Sequence, residues 1–147
     1  MNSRKTIAIL CAFIAALVIT IFRMQIGISH REDPTQRLER GRNLVENVAM
    51  CADCHSPRGP TGQLDRSRWL LGGSLGFKPL MEMPWATVAP SIAGLSGYTD
   101  EQAIKFFMTG ERPNGMRPLP PMPEYRMNLE DATDVVAYLK SLAPSRS

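Results

Sequence analysis

Cys51-Ala-Asp-Cys54-His55 confines this chain more than any other stretch of it. Two thiols two residues apart, with an imidazole directly after, can bind a metal, exchange a disulfide or hold a haem through two thioethers. Each option makes its own demand on the rest of the sequence. A structural zinc site needs four ligands, and beyond these three side chains the 147 residues offer only Cys11, inside an apolar run, and His30 just after that run. A thiol–disulfide exchanger builds its pair into a strand-and-helix context, and no convincing strand pattern is present. A structural disulfide across two residues closes too small a loop to restrain the unfolded chain. Haem attachment meets no such shortage. One helical turn presents both sulfurs to one edge of a porphyrin and points His55 at the iron.

The N-terminal segment sets the compartment. Thr6 to Phe22 carries no charge and follows Arg4 and Lys5. The run approaches the ~20 residues of a bilayer crossing and exceeds the ~7–15 of a signal-peptide core. Arg23 can snorkel to the headgroups while Ile26 and Ile28 lengthen the apolar contact. The pattern predicts a membrane anchor over 1–28, a linker over 29–34 and a haem domain over 35–147 with a long insertion at 57–88. The competing reading is a cleaved signal, because Gly27-Ile28-Ser29 is a small-x-small triplet, although Arg23 separates it from the apolar core. Basic residues stay in the cytoplasm, which puts the haem domain in the periplasm of a bacterial inner membrane, on a single-pass helix. Covalent haem attachment belongs on that side.

The formal net charge of +3 does not indicate a basic surface. Of the 17 Lys and Arg, Arg4, Lys5 and Arg23 belong to the N-terminal segment, while all 14 Asp and Glu lie downstream with the other 14 cations. The remainder is formally neutral, and no nucleic-acid partner is expected.

Thr35 to Val48 places Leu38, Gly41, Val45 and Val48 at helical spacing. Gly41 inside that helix costs about 1 kcal/mol relative to alanine, which makes sense if another element crosses closely there. The insertion at 57–88 has neither helical nor strand periodicity and contains Trp69 and Trp85; such long irregular stretches are often functional. Thr99 and Gln102 form a capping-box pair at the start of a helix that Gly110 ends. A proline-rich loop follows. The last helix starts at Asn128, with Leu129, Ala132, Val135, Val136, Tyr138, Leu139 and Leu142 on a wide apolar face.

With these features the chain, from about Arg37 to Ala143, resembles the class I cytochrome c family. Within it the likeness is to small membrane-anchored mono-haem cytochromes that accompany dehydrogenases. The resemblance implies an all-α cytochrome c fold, with long loops around one haem c attached through two thioethers at Cys51 and Cys54. It also implies that Gly41 lets Tyr138 and Leu139 approach the first helix, and that Pro90 in Ala89-Pro-Ser-Ile-Ala-Gly-Leu95 accepts a hydrogen bond from His55 through its carbonyl. The chain departs from the shortest family members in being much longer between His55 and Pro90. Within that stretch Arg66, Arg68, Trp69 and Trp85 either donate to haem propionates or pack a large surface loop.

A carrier that binds no substrate needs a second iron ligand, and His30 is badly placed for it. Methionine is the alternative. Met24 lies by the anchor, Met50 adjoins Cys51, and Met108 sits in a helix as a core residue, which leaves Met81, Met83, Met116, Met122 and Met127. In Leu119-Pro-Pro-Met122-Pro-Glu-Tyr125 the flanking prolines restrict the backbone beforehand, and the loop resembles the family's ligand loop. Met122 is the assignment, with Met116 and then Met83 behind it. His55 and Met122 on iron leave no open position, as suits a one-electron carrier rather than an enzyme. The expected partners are redox proteins of a respiratory chain: a dehydrogenase, a quinol-oxidising complex, an oxidase or another cytochrome. The alternative is a haem enzyme or gas sensor whose methionine leaves the iron.

Overall fold

The computed structural model describes residues 3–29 and 33–143, with side chains described over 9–23 and 33–143. It divides into two units, Met1–Asp33 and Pro34–Ser147. The first is one helix, α1 (Ser3–Ser29). Its described apolar side chains, among them Ile9, Leu10, Phe13, Leu17 and Phe22, are exposed. Among the described residues no helix is long and apolar enough to cross a membrane. The transmembrane helix expected over 1–28 is therefore not supported by the described residues. Half of the expected linker, His30 to Glu32, and the last four residues of the chain lie outside them.

The second unit is helical. It contains α2 (Pro34–Asn43), the short α3 (Ala52–His55), α4 (Asp100–Thr109) and α5 (Leu129–Ser141). The sequence shows no strand pattern, yet a two-residue strand β1 (Gly73–Ser74) pairs antiparallel with β2 (Val88–Ala89). The core gathers Val45 from the turn that follows α2, Cys51 and Ala52, Leu70 from the insertion, Ala103 and Phe107 from α4, and Ala132, Val135, Val136, Tyr138 and Leu139 from α5.

Local chemistry explains the ends of the helices. Thr99 accepts the Gln102 N–H while the Gln102 side chain accepts the Thr99 N–H, and Gly110 closes α4 at φ 71°. Asn128 caps α5 by accepting the Asp131 N–H. The end of α2 departs from the expected regular helix. Leu44–Val48 is a π-turn, in which the Ala49 N–H reaches the Leu44 carbonyl at 2.8 Å and the Cys51 N–H reaches Val45 at 2.9 Å. The extra residue rotates Val48 outward, so Val45 is fully buried while Val48 is 61% exposed.

Helices α2 and α5 cross at Gly41. A Cβ there would overlap the Asp134 carbonyl oxygen and stand 2.9 Å from Tyr138 Cβ. The crossing is pinned by charge. Asp134, 1% exposed, accepts from Arg40 Nε at 2.8 Å and lies 3.4 Å from Arg37 Nε. Besides Val48, three expected apolar positions differ: Leu38, Leu129 and Met108. Leu129 is exposed because it opens α5 beside its cap, and Met108 is exposed because Ala103 and Phe107 take the inner face of α4.

Candidate haem site

The π-turn delivers the chain into α3 through Met50, at φ 48°, so that Cys51 precedes the helical turn and is buried. Cys54 is half-buried on the same turn, and both thiols are free. Burial pushes the Cys51 thiol up to about 11. Tyr125, from the loop before α5, donates to the Ala49 carbonyl at 3.1 Å and lies beside that thiol; burial raises its phenol above the usual range.

His55 ends α3 and is 6% exposed. Its Nδ1 lies 2.7 Å from the Pro90 carbonyl oxygen. A carbonyl can only accept, so Nδ1 carries the proton and Nε2 keeps its lone pair. Burial lowers the imidazole pKa, with the Pro90 hydrogen bond opposing it more weakly. The ring is thus held neutral in one tautomer and one orientation, as a metal-ligating histidine requires.

Met122 is half-buried, with its N–H on the Leu119 carbonyl at 3.2 Å. The neighbouring Pro120 carbonyl accepts the Ala86 N–H at 2.8 Å, tying this loop to the insertion. Met83 and Met116 are 47% and 58% exposed. Met127 packs on the core, where its N–H meets the Phe107 carbonyl at 3.1 Å. The structure thus joins His55 to Pro90 directly, while Met122 is held on a separate braced loop.

The four insertion side chains behave differently from one another. The Arg68 guanidinium is paired with Asp65 at 2.8 Å, and Arg66 stacks on the Trp69 ring at 4.0 Å from its centroid. Trp69 itself packs against the core. Trp85 is the exception. Its ring meets Phe77 edge-on at 5.9 Å, and its Nε1–H is buried with no hydrogen-bond partner among the described residues. An unmet buried donor costs about 1–3 kcal/mol. The missing acceptor fits an anionic oxygen of a bound group, and a haem propionate supplies one. Together with the thiol pair and the preset imidazole, the residues present fit a covalently held haem.

Sequence reasoning missed Ser56, Leu70 and Gly72. Ser56 is 2% exposed and accepts the Leu70 N–H at 2.9 Å, while the Gly72 N–H reaches the His55 carbonyl at 2.7 Å. The signal available was a polar residue straight after the motif and a Gly-Gly pair downstream. Neither has a periodicity to read.

The pattern of the cytochrome c family matches residues 38–143 of the chain. A diheme cytochrome c-type protein of Cereibacter sphaeroides is 57% identical over 35 residues, which cover 24% of this chain and 12% of that protein. The fructose dehydrogenase cytochrome subunit of Gluconobacter japonicus is 28% identical over 108 residues, covering 70% of this chain and 21% of that one. The chain spans a small part of the length of either curated relative. Family membership implies covalent haem c, whose CxxCH motif Cys51, Cys54 and His55 fit. Because the match runs through α2, the CxxCH turn, α4 and α5 alike, the chain belongs to the cytochrome c family.

Proposed function

We propose that this protein is a one-electron carrier with a single haem c, joined to Cys51 and Cys54 and ligated by His55 and Met122. One observation carries the reading: a buried, neutral His55 held by its Nδ1–H on the Pro90 carbonyl at 2.7 Å. When bound, the haem supplies a ferric/ferrous couple, which methionine ligation and burial shift toward ferrous. The chain's own residues do the positioning. The α3 turn offers two thiols, and Pro90 orients the imidazole. Pro121 and Pro123 stiffen the backbone on either side of Met122. Trp85 offers its Nε1–H to a propionate oxygen. With two protein ligands no position is left for a substrate, and electron transfer needs little rearrangement.

The uncharged run Thr6–Phe22, helical throughout and with exposed apolar side chains from Ile9 to Phe22, supports reading α1 as a tether to the outer face of a bacterial inner membrane. Tethering raises effective concentration near membrane partners. The likeness to a dehydrogenase's cytochrome subunit supports a dehydrogenase as electron donor in a respiratory chain.

The test is the intact mass of the protein purified from cells competent in c-type haem maturation. The expected result is the full-length mass plus one haem. Haem with about 29 N-terminal residues missing keeps the carrier and removes the tether. A haem-free mass, with maturation confirmed, overturns the reading. A second expectation concerns Trp85→Phe. Removing the N–H leaves the propionate charge less compensated, which favours ferric iron, so the midpoint potential falls while the absorption spectrum keeps its axial-ligand features. An unchanged midpoint would assign Trp85 to loop packing.

A further inference from the structure

The middle of the insertion is tied to the proximal ligand from two sides. Leu70 is fully buried and adopts φ 57°, a left-handed conformation uncommon for a bulky residue. Such conformations persist where the surroundings fix them, often at functional sites. Its N–H donates to Ser56 Oγ at 2.9 Å, and its carbonyl accepts the N–H groups of Ile92 at 2.9 Å and Ala93 at 3.1 Å. Two residues on, the Gly72 N–H donates to the His55 carbonyl at 2.7 Å. Gly72 lies against the other side as well: a Cβ on it would come within 2.9 Å of Ser91 N and 3.1 Å of the Pro90 carbonyl carbon. Gly73 then pairs with Ala89 in the β-ladder.

One five-residue segment, 70–74, therefore grips His55 and Ser56 with one set of hydrogen bonds and residues 88–93 with another. The bond from His55 Nδ1 to Pro90 O connects the same two stretches. We propose that residues 70–74 form a clamp that sets the His55–Pro90 hydrogen bond, with Ser56, Leu70 and Gly72 as positioning residues for the imidazole. The role follows from chemistry at the ring. A short, strong Nδ1–H···O bond makes the imidazole a more basic ligand and favours ferric iron. A loosened clamp weakens that bond and raises the midpoint potential. The insertion thereby acts as a potential-setting brace as well as a surface loop. The redox half of this inference rests on reading His55 as the iron ligand.

The experiment uses the matured full-length protein and two readouts, the midpoint potential and solvent exchange of the His55 Nδ1 proton by NMR in the diamagnetic reduced state. Ser56→Ala removes the acceptor of the Leu70 N–H. We expect its Nδ1 proton to exchange about five- to tenfold faster, with a higher midpoint than the parent. Gly72→Ala presses on residues 89–91 at a positive φ and is expected to shift both readouts further in the same direction; it also serves if Ser56→Ala does not accumulate. Val135→Ala, a fully buried site in α5 away from the α3 turn and the clamp, is the control that lowers stability and moves neither readout. Ser56→Ala or Gly72→Ala behaving like Val135→Ala, less stable with exchange and midpoint at parent values, overturns the clamp. A parent spectrum lacking a histidine-ligated haem overturns the ligand reading instead, and Nδ1 proton exchange alone then decides the clamp.

Discussion

Gly41→Ala is expected to destabilise the protein by about 3 kcal/mol or more, although helix propensity alone predicts a gain of about 1 kcal/mol. The two effects have opposite signs, so one denaturation curve decides between them. Propensity counts the entropy that glycine loses in α2. Packing counts what the new methyl meets, which is the carbonyl group of Asp134, its carbon at 2.7 Å, and Tyr138 Cβ at 2.9 Å. A backbone carbonyl on a hydrogen-bonded helix cannot rotate aside, so α2 and α5 must separate. Separation then loosens what surrounds the crossing. Asp134, 1% exposed, moves from Arg40 Nε at 2.8 Å, and a buried carboxylate that loses its cation is costly. The Tyr138 hydroxyl also draws away from the Glu46 carboxylate it donates to. Denaturant midpoints of the matured protein, parent against variant, measure the outcome. A variant as stable as the parent would mean that the helices do not meet at Gly41.

How far the sequence foretells this architecture depends on the range of the interactions involved. The capping pair Thr99–Gln102, the Gly110 stop and the Asn128 start are local hydrogen-bonding arrangements, legible because donor and acceptor lie within a turn of each other. Gly41 was legible for a different reason, as a residue too costly for a helix unless something crosses it. Val48 illustrates a limit: helical spacing assumes 3.6 residues per turn, and the π-turn at Leu44–Val48 breaks that count by one residue. Asp134 illustrates another. A carboxylate on the inner face of α5 looks like an error in the apolar pattern until Arg37 and Arg40 arrive from a helix 94 residues away. The site divides along the same line. The CxxCH motif concentrates its chemistry in five residues, whereas the Leu70 node joins Ser56, Leu70 and Ile92 through bonds that are all long-range and mostly to the main chain. Backbone partners leave little trace in side-chain identity, so the insertion looked structureless where it is most tightly tied.

Met122→Ala is expected to convert the reduced protein from one that does not bind carbon monoxide at neutral pH into one that binds it nearly stoichiometrically. If the sulfur of Met122 occupies the sixth position, truncating it opens the iron to exogenous ligands. The same change removes a ligand that favours ferrous iron, so the midpoint potential must fall and the sulfur-to-iron charge-transfer band of the oxidised state must disappear. The fold should survive. The Ala86 N–H still reaches the Pro120 carbonyl at 2.8 Å, and Tyr125 still donates to Ala49 at 3.1 Å, so the loop is held on both sides of position 122 without the methionine. Met116→Ala and Met83→Ala are the informative companions, since their side chains are 58% and 47% exposed while Met122 is half-buried. Both should behave as the parent. Carbon monoxide binding by Met116→Ala, with Met122→Ala unchanged, would transfer the ligand to the preceding turn. Tight binding by the parent itself would open the sixth position in the native protein and favour gas sensing or catalysis, because a carrier gains nothing from a vacant iron.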